Sequence, residues 1–119
     1  MLDLDLRFEP ARLPAPLPVW QGAVDRDQWM ALAGEIAGRG GRLVSLWGVA
    51  RAGDAPGLAV DAAYATSAGL LWVEFGLDDT TPGYPDLAPR FPCADRMQRA
   101  AADLSGVHPE TAADRRPWL

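Results

Sequence analysis

The sequence predicts an α+β fold, a mainly antiparallel sheet with about two helices packed on one face. Three observations carry this. The runs RLVSLWGVA (42 to 50), GLAVDAAYA (57 to 65) and GLLWVEFGL (69 to 77) read as strands, and the glycine-bearing links RAGDAPG and TSAG between them suit antiparallel hairpins. Two further segments carry helical periodicity with caps at their ends. Finally, 12 Gly and 11 Pro among 119 residues demand many turns and at least one extended loop. A chain of this length buries roughly two thirds of its unfolded surface, so residues 1 to 119 are expected to form one domain that needs neither metal nor disulfide to fold.

At the start, Leu2, Leu4, Leu6 and Phe8 alternate with Asp3, Asp5 and Arg7, the period of a half-buried strand. PARLPAPLP follows, and four prolines in nine residues admit neither helix nor central strand, so residues 1 to 23 read as a strand plus a proline-rich extended loop.

VDRDQWMALAGEIAGRGG (24 to 41) reads as the first helix. Asp25 fits the N-cap, Gln28 its capping-box partner, and Val24 with Trp29 a hydrophobic staple. Trp29, Leu32, Ala33, Ile36 and Ala37 share one face, and Gly40 and Gly41 supply the stop.

Among the strands, Leu58, Val60, Ala62 and Tyr64 fall on one face of the second, and Leu71, Val73 and Phe75 on one face of the third. Leu70, Trp72 and Glu74 then lie on the opposite side of the third strand. The sheet thus has one face for helices and a second, partly apolar face on which a partner can dock. After the proline-rich DDTTPGYPDLAPRFP, the second helix carries an apolar stripe of Cys93, Met97, Ala100, Ala101 and Leu104, with Gly106 as its C-cap.

Charge and composition remove several classes of function. With a net charge of -5, no Lys and scattered arginines, the chain is not a nucleic-acid binder. No apolar run is long enough for direct membrane insertion, and the N-terminal residues lack signal-peptide character, so a cytoplasmic setting is expected.

Candidate chemistry is sparse. His108, the only histidine, sits between Val107 and Pro109 and reads as a solvated or packing residue. Cys93, the only cysteine, reads as a buried structural thiol on the helix stripe. Asp78 and Asp79 read as turn residues rather than an acid-base pair. No glycine pattern cradles a nucleotide phosphate, and five Trp among ten aromatics (five Trp, two Tyr, three Phe) suggest large core or interface anchors. The residues by themselves describe a binding or scaffolding domain without catalytic, cofactor-binding or metal-binding residues.

QRAAADLSGV (98 to 107) resembles the ERExxDLFGI signature of the respiratory-chain NADH dehydrogenase 30 kDa subunit, a component of NADH:quinone oxidoreductase. The same domain occurs at the N-terminus of the large subunit of energy-converting, membrane-bound [NiFe] hydrogenases of the formate hydrogenlyase type. Arg99, Asp103, Leu104 and Gly106 match the signature and Val107 replaces Ile, while Gln98, Ala100 and Ser105 depart from it. YPDLAPRFPCADRMQRA (84 to 100) resembles the family's proline-bearing approach to that helix. GGRLVSLWG (40 to 48) and DRRPWL (114 to 119) are similar to the hydrogenase-type members.

The resemblance implies a non-catalytic assembly domain in such a complex. Its partners would be the large subunit and the iron-sulfur subunit, peripheral on the cytoplasmic side of the inner membrane. Arg99, Asp103, Leu104, Gly106, Arg115, Arg116, Trp118 and Leu119 are then the expected interface residues, with residues 108 to 119 as an exiting tail. Cofactors, Fe-S clusters and Ni-Fe, would lie in the partner subunits, because a [NiFe] site needs four thiolates and this chain has one. A homodimer through the open sheet face is the expected substitute when the partner is absent. The alternative is an independent small-molecule-binding protein or enzyme with a cleft at His108, Cys93 or Asp103.

Overall fold

A computed structural model describes residues 8, 10–13, 18–51, 57–78 and 80–110. The alternating stretch from Leu2 to Leu6, Asp79, and the predicted interface residues Arg115, Arg116, Trp118 and Leu119 lie outside the described residues. In chain order the elements are β1 (Ala11–Leu13), β2 (Val19–Val24), α1 (Arg26–Gly38), β3 (Arg42–Arg51), β4 (Gly57–Thr66), β5 (Gly69–Leu77), β6 (Gly83–Tyr84), α2 (Ala94–Ser105) and β7 (His108–Pro109).

The first helix forms as its sequence dictates. The Asp25 side chain accepts from Gln28 N at 2.8 Å while Gln28 Oε1 accepts from Asp25 N at 2.8 Å, closing the capping box reciprocally. Trp29, Leu32, Ala33 and Ile36 are buried along one side. The predicted strands β3, β4 and β5 form a continuous antiparallel meander. A bulge between Leu43 and Ser45 resets the register of β3, so Leu43 and Leu46, three residues apart, both reach the core while Val44 is turned out.

Two features differ from the sequence expectation at the N-terminal side. Ala11–Leu13, inside the proline-rich stretch, is a short strand rather than loop. It pairs antiparallel with β2, and as an edge strand it must satisfy hydrogen bonds on one side only. VWQGAV (19 to 24) is also a strand, and it joins β5 in parallel, giving the sheet order β1-β2-β5-β4-β3. A second, two-strand ladder pairs β6 with β7 in parallel.

Both helices lie on one face of the five-stranded sheet. Trp29 packs 5.7 Å from the Phe75 ring on β5, and Tyr64 on β4 packs 5.6 Å from Phe91 in the approach to α2. Gly48 on β3 lets α2 come close, since a Cβ there would stand 2.4 Å from the Ser105 Cβ. The core on this face gathers Trp29, Leu32 and Ile36 of α1 with Val60, Ala62, Tyr64, Leu71, Val73 and Phe75 of the sheet. Full burial of each such aliphatic or aromatic side chain contributes roughly 1.5–3 kcal/mol.

The inward side of α2 differs from the predicted stripe. Ala94, Gln98 and Ala101 are buried with Met97 partly so, whereas Cys93 and Ala100 are exposed and Leu104 is 86% exposed. Gln98 faces inward because its polar atoms are used there. Its Oε1 accepts from Leu87 N at 2.9 Å, and its Nε2 donates to Asp86 Oδ1 at 2.7 Å, fastening the helix to the loop before it. Small alanines then allow the helix to sit tightly on the sheet. Gly106, at φ 73°, closes α2 in the left-handed conformation, with its N–H on Ala102 O.

This helical phase is directly testable. Gln98→Ala leaves the buried Leu87 N–H without its acceptor and should cost about 1–3 kcal/mol in urea unfolding. Leu104→Ser, on the outer side, should change stability by no more than about 0.5 kcal/mol; the reverse ranking would restore the predicted stripe.

Candidate functional site

Among the described residues no helix covers the second face of the sheet, and Arg51, Asp61 and Glu74 gather on it at one place, with Arg42 apart at the far end of β3. β4 sits between β3 and β5, and the register sets Asp61 directly across from Trp47 on one side and Glu74 on the other. The pairing with Glu74 follows from the tight turn at Ser67 and Ala68. Once Thr66 pairs with Gly69, every later partner is fixed. Trp47 and Trp72 flank Asp61, their rings 5.6 Å apart and inclined at 51°.

Asp61 is 2% exposed, unusual for a carboxylate on a face without a helix above it. Trp72 Nε1 donates to its Oδ2 at 2.7 Å, while Oδ1 is buried with no hydrogen-bond partner among the described residues. Burial pushes the carboxyl up to about 6. The Trp72 hydrogen bond opposes the rise, and the charge and hydrogen bonding of Glu74 add to it.

Glu74 lies 3.8 Å from Arg51 Nε, a partly exposed pair of modest value. The Arg51 guanidinium begins on β3 and reaches Gly76 on β5, where an added Cβ would stand 2.5 Å from Nη1. The side chain therefore crosses β4 near Ala59, which is fully buried. The arrangement is a half-covered patch of two indoles, two carboxyls and one guanidinium, suited to recognition rather than bond-breaking.

The residues singled out by sequence lie elsewhere. Arg99 pairs with Asp95 at 2.6 Å across one turn of α2, both exposed, and Asp103 and Leu104 are also exposed on that helix. Gly106 ends the helix. His108 is exposed in β7, paired with Gly83. Cys93 is exposed rather than a buried thiol, because it precedes the first inward residue of α2; its Sγ lies 3.9 Å from Leu43 O. Asp78 caps a turn, its Oδ1 accepting from Thr80 N, Thr80 Oγ1 and Thr81 N, which holds its carboxyl below the usual range.

Two surface grooves among the described residues leave out the alternative cleft residues. A groove of about 520 Å³ lies between α1 and the loop at 85–90, lined by Trp29, Met30, Ala33, Leu87 and Arg90. A second of about 340 Å³ sits at the end of α1 beside Arg39, Arg42 and Thr66. Neither is lined by His108, Cys93 or Asp103. Among the described residues no three His, Cys, Asp or Glu side chains are grouped to hold a metal ion, and no helix is long and apolar enough to cross a membrane.

Sequence reasoning foresaw a second, partly apolar sheet face away from the helices but passed over Asp61. The signal was present, since an acid in the middle of GLAVDAAYA interrupts a strand apolar on both sides, and counting back from the TSAG turn places it opposite Glu74.

With the architecture established, the chain shares its fold with a solved fragment of Nqo5. It is similar in structure to a trypsin-resistant fragment, 1–134, of Nqo5, with a TM-score of 0.67 and 15% identity over 85% of this chain and 86% of that one. No family model matches the sequence, and no curated protein matches it.

The Asp61 carboxyl gives the patch a pH signature. The folded state holds a proton that the unfolded chain, at an ordinary 3.8, releases earlier. The contribution of this group is full below pH 3.8 and is lost as pH rises through about 6. Asp61→Asn should abolish that fall, so wild type loses on the order of 2 kcal/mol relative to the variant between pH 4 and pH 7 in urea unfolding. A difference that stays flat with pH contradicts the assignment.

Proposed function

We propose that this chain is a non-catalytic assembly domain of a redox complex, either an NADH:quinone oxidoreductase of the complex I type or an energy-converting [NiFe] hydrogenase. In this role it docks the large subunit and the iron-sulfur subunit. The observation that carries the reading is the structural correspondence with the Nqo5 fragment, which spans 85% of this chain. The QRAAADLSGV and DRRPWL runs resemble that family and its hydrogenase relatives independently of the fold. The exposed side of α2, with Arg99, Asp103 and Leu104, and the open face of the sheet are the two surfaces offered to partners. Arg115, Arg116, Trp118 and Leu119 contribute as further contacts, since Trp and Arg are frequent interface anchors.

The redox chemistry in this reading belongs to the partners. A single cysteine and a single histidine do not fit an Fe-S cluster or a Ni-Fe site, so this chain positions other subunits and excludes water between them. Between the two settings, the GGRLVSLWG and DRRPWL resemblances favour the hydrogenase.

The test is isolation of the tagged chain from its own cells after gentle membrane solubilisation, with mass spectrometry of its companions. Recovery with iron-sulfur and membrane subunits is expected, and the presence or absence of a nickel-binding large subunit separates the two complexes. A free monomer without companions overturns the proposal.

A further inference from the structure

We propose that the open sheet face receives an arginine side chain from a partner subunit, which seats its guanidinium over Trp47 and Trp72 and completes the coordination of the Asp61–Glu74 carboxyl pair. This rests on the subunit reading above and identifies which face is used and what recognises it.

The face calls for a cation. By register, β1 contributes Ala11 and Leu13 to it and β2 contributes Val19, Gln21 and Ala23, none of them charged. β3 contributes Arg51 at one end and Arg42 at the other, across from Ala65, while β4 contributes Asp61 and β5 Glu74; beside the two carboxyls the described residues place one guanidinium, that of Arg51, and it stands 3.8 Å from Glu74. Asp61 Oδ1, buried and reached by no N–H donor among the described residues, is a second sign of an unmet contact, since buried carboxylate oxygens are nearly always paired.

Two adjacent indoles select the kind of cation. A planar guanidinium stacks on Trp and pairs with carboxylates through fixed, fork-like donors, whereas an ammonium is a strongly hydrated point charge. In the chain by itself the patch meets the shortage through Asp61, which burial keeps protonated up to about pH 6. An incoming guanidinium takes over that role and the proton passes to solvent, so docking below about pH 6 is coupled to proton release. Arg51 stays on Glu74, and the indoles turn aside to admit the new donor.

The experiment uses the intact complex isolated through the tagged chain. A photo-crosslinking phenylalanine is placed at Ala63, on the open face beside Asp61, and in a second preparation at Ala100, on the exposed side of α2. The expected adduct from position 63 maps to a peptide of another subunit that contains an arginine. Replacing that arginine by glutamine, or making Asp61→Asn together with Glu74→Gln, should lower recovery of that subunit at least tenfold.

A complex that assembles but gives adducts from position 63 only within this chain, to a second copy of it, or to a peptide without arginine overturns this inference alone. So does undiminished recovery with the doubly neutralised variant. Recovery of the chain with no companion overturns the subunit reading and this inference together. Because the crosslinking arm uses native carboxyls, poor folding of the double variant does not decide the matter.

Discussion

Trp29 is the side chain on which separately encoded parts of this protein meet. It lies at the fourth position of α1, is 1% exposed, and touches Phe75 of β5 and Tyr84 of β6 with ring separations of 5.7 Å each. Its indole N–H donates to Pro85 O at 3.0 Å, so burial leaves its one polar group satisfied. The helix, the central sheet and the start of the proline-bearing loop are therefore held by one residue. The capping box at Asp25 sets the angle at which it arrives. The Arg26–Glu110 ion pair, one residue after that cap, ties the same end of α1 to the chain just beyond β7.

The loop fixed in this way determines where α2 can lie. Leu87 is nearly fully buried and its N–H is claimed by Gln98, so the loop and the helix are packed as one piece against the sheet. The helix then turns Arg99, Asp103 and Leu104 outward, the positions that resemble the family signature. A polar residue inside and a leucine outside look inverted from sequence, yet they have one cause. The inner side is narrow enough for alanine, and the one long residue fully buried there, Gln98, is the one with two hydrogen bonds to make.

Much of the fold was legible because it depends on local chemistry. Asp25 with Gln28, Gly106, and the short link from Thr66 to Gly69 each specify a cap or a turn within a few residues. The bounds of α1, β3, β4 and β5 follow from such signals. β2 was not read, because VWQGAV carries an internal glycine and pairs in parallel with a partner some fifty residues away, leaving no hairpin signal. The stripe of α2 was misphased because Gln98 counts as a surface residue until its acceptor and donor are seen. Asp61 was passed over for a related reason: its neighbours Trp47 and Glu74 belong to other strands, and only the register brings them together.

The parallel pairing of β2 with β5 also orders events in time. Val19 pairs with Leu70, so β2 leaves the ribosome well before the strand that satisfies it has been made. The β3–β4–β5 meander closes through short links and can form quickly, whereas docking β2 must close a loop holding a helix and two strands. During synthesis the apolar side of VWQGAV, with Trp20 and Val24, waits uncovered, and α1 forms next to it with no sheet to pack on. The N-terminal segment is thus the part of this protein most dependent on the later chain, and the part at which an interrupted synthesis leaves a sticky edge.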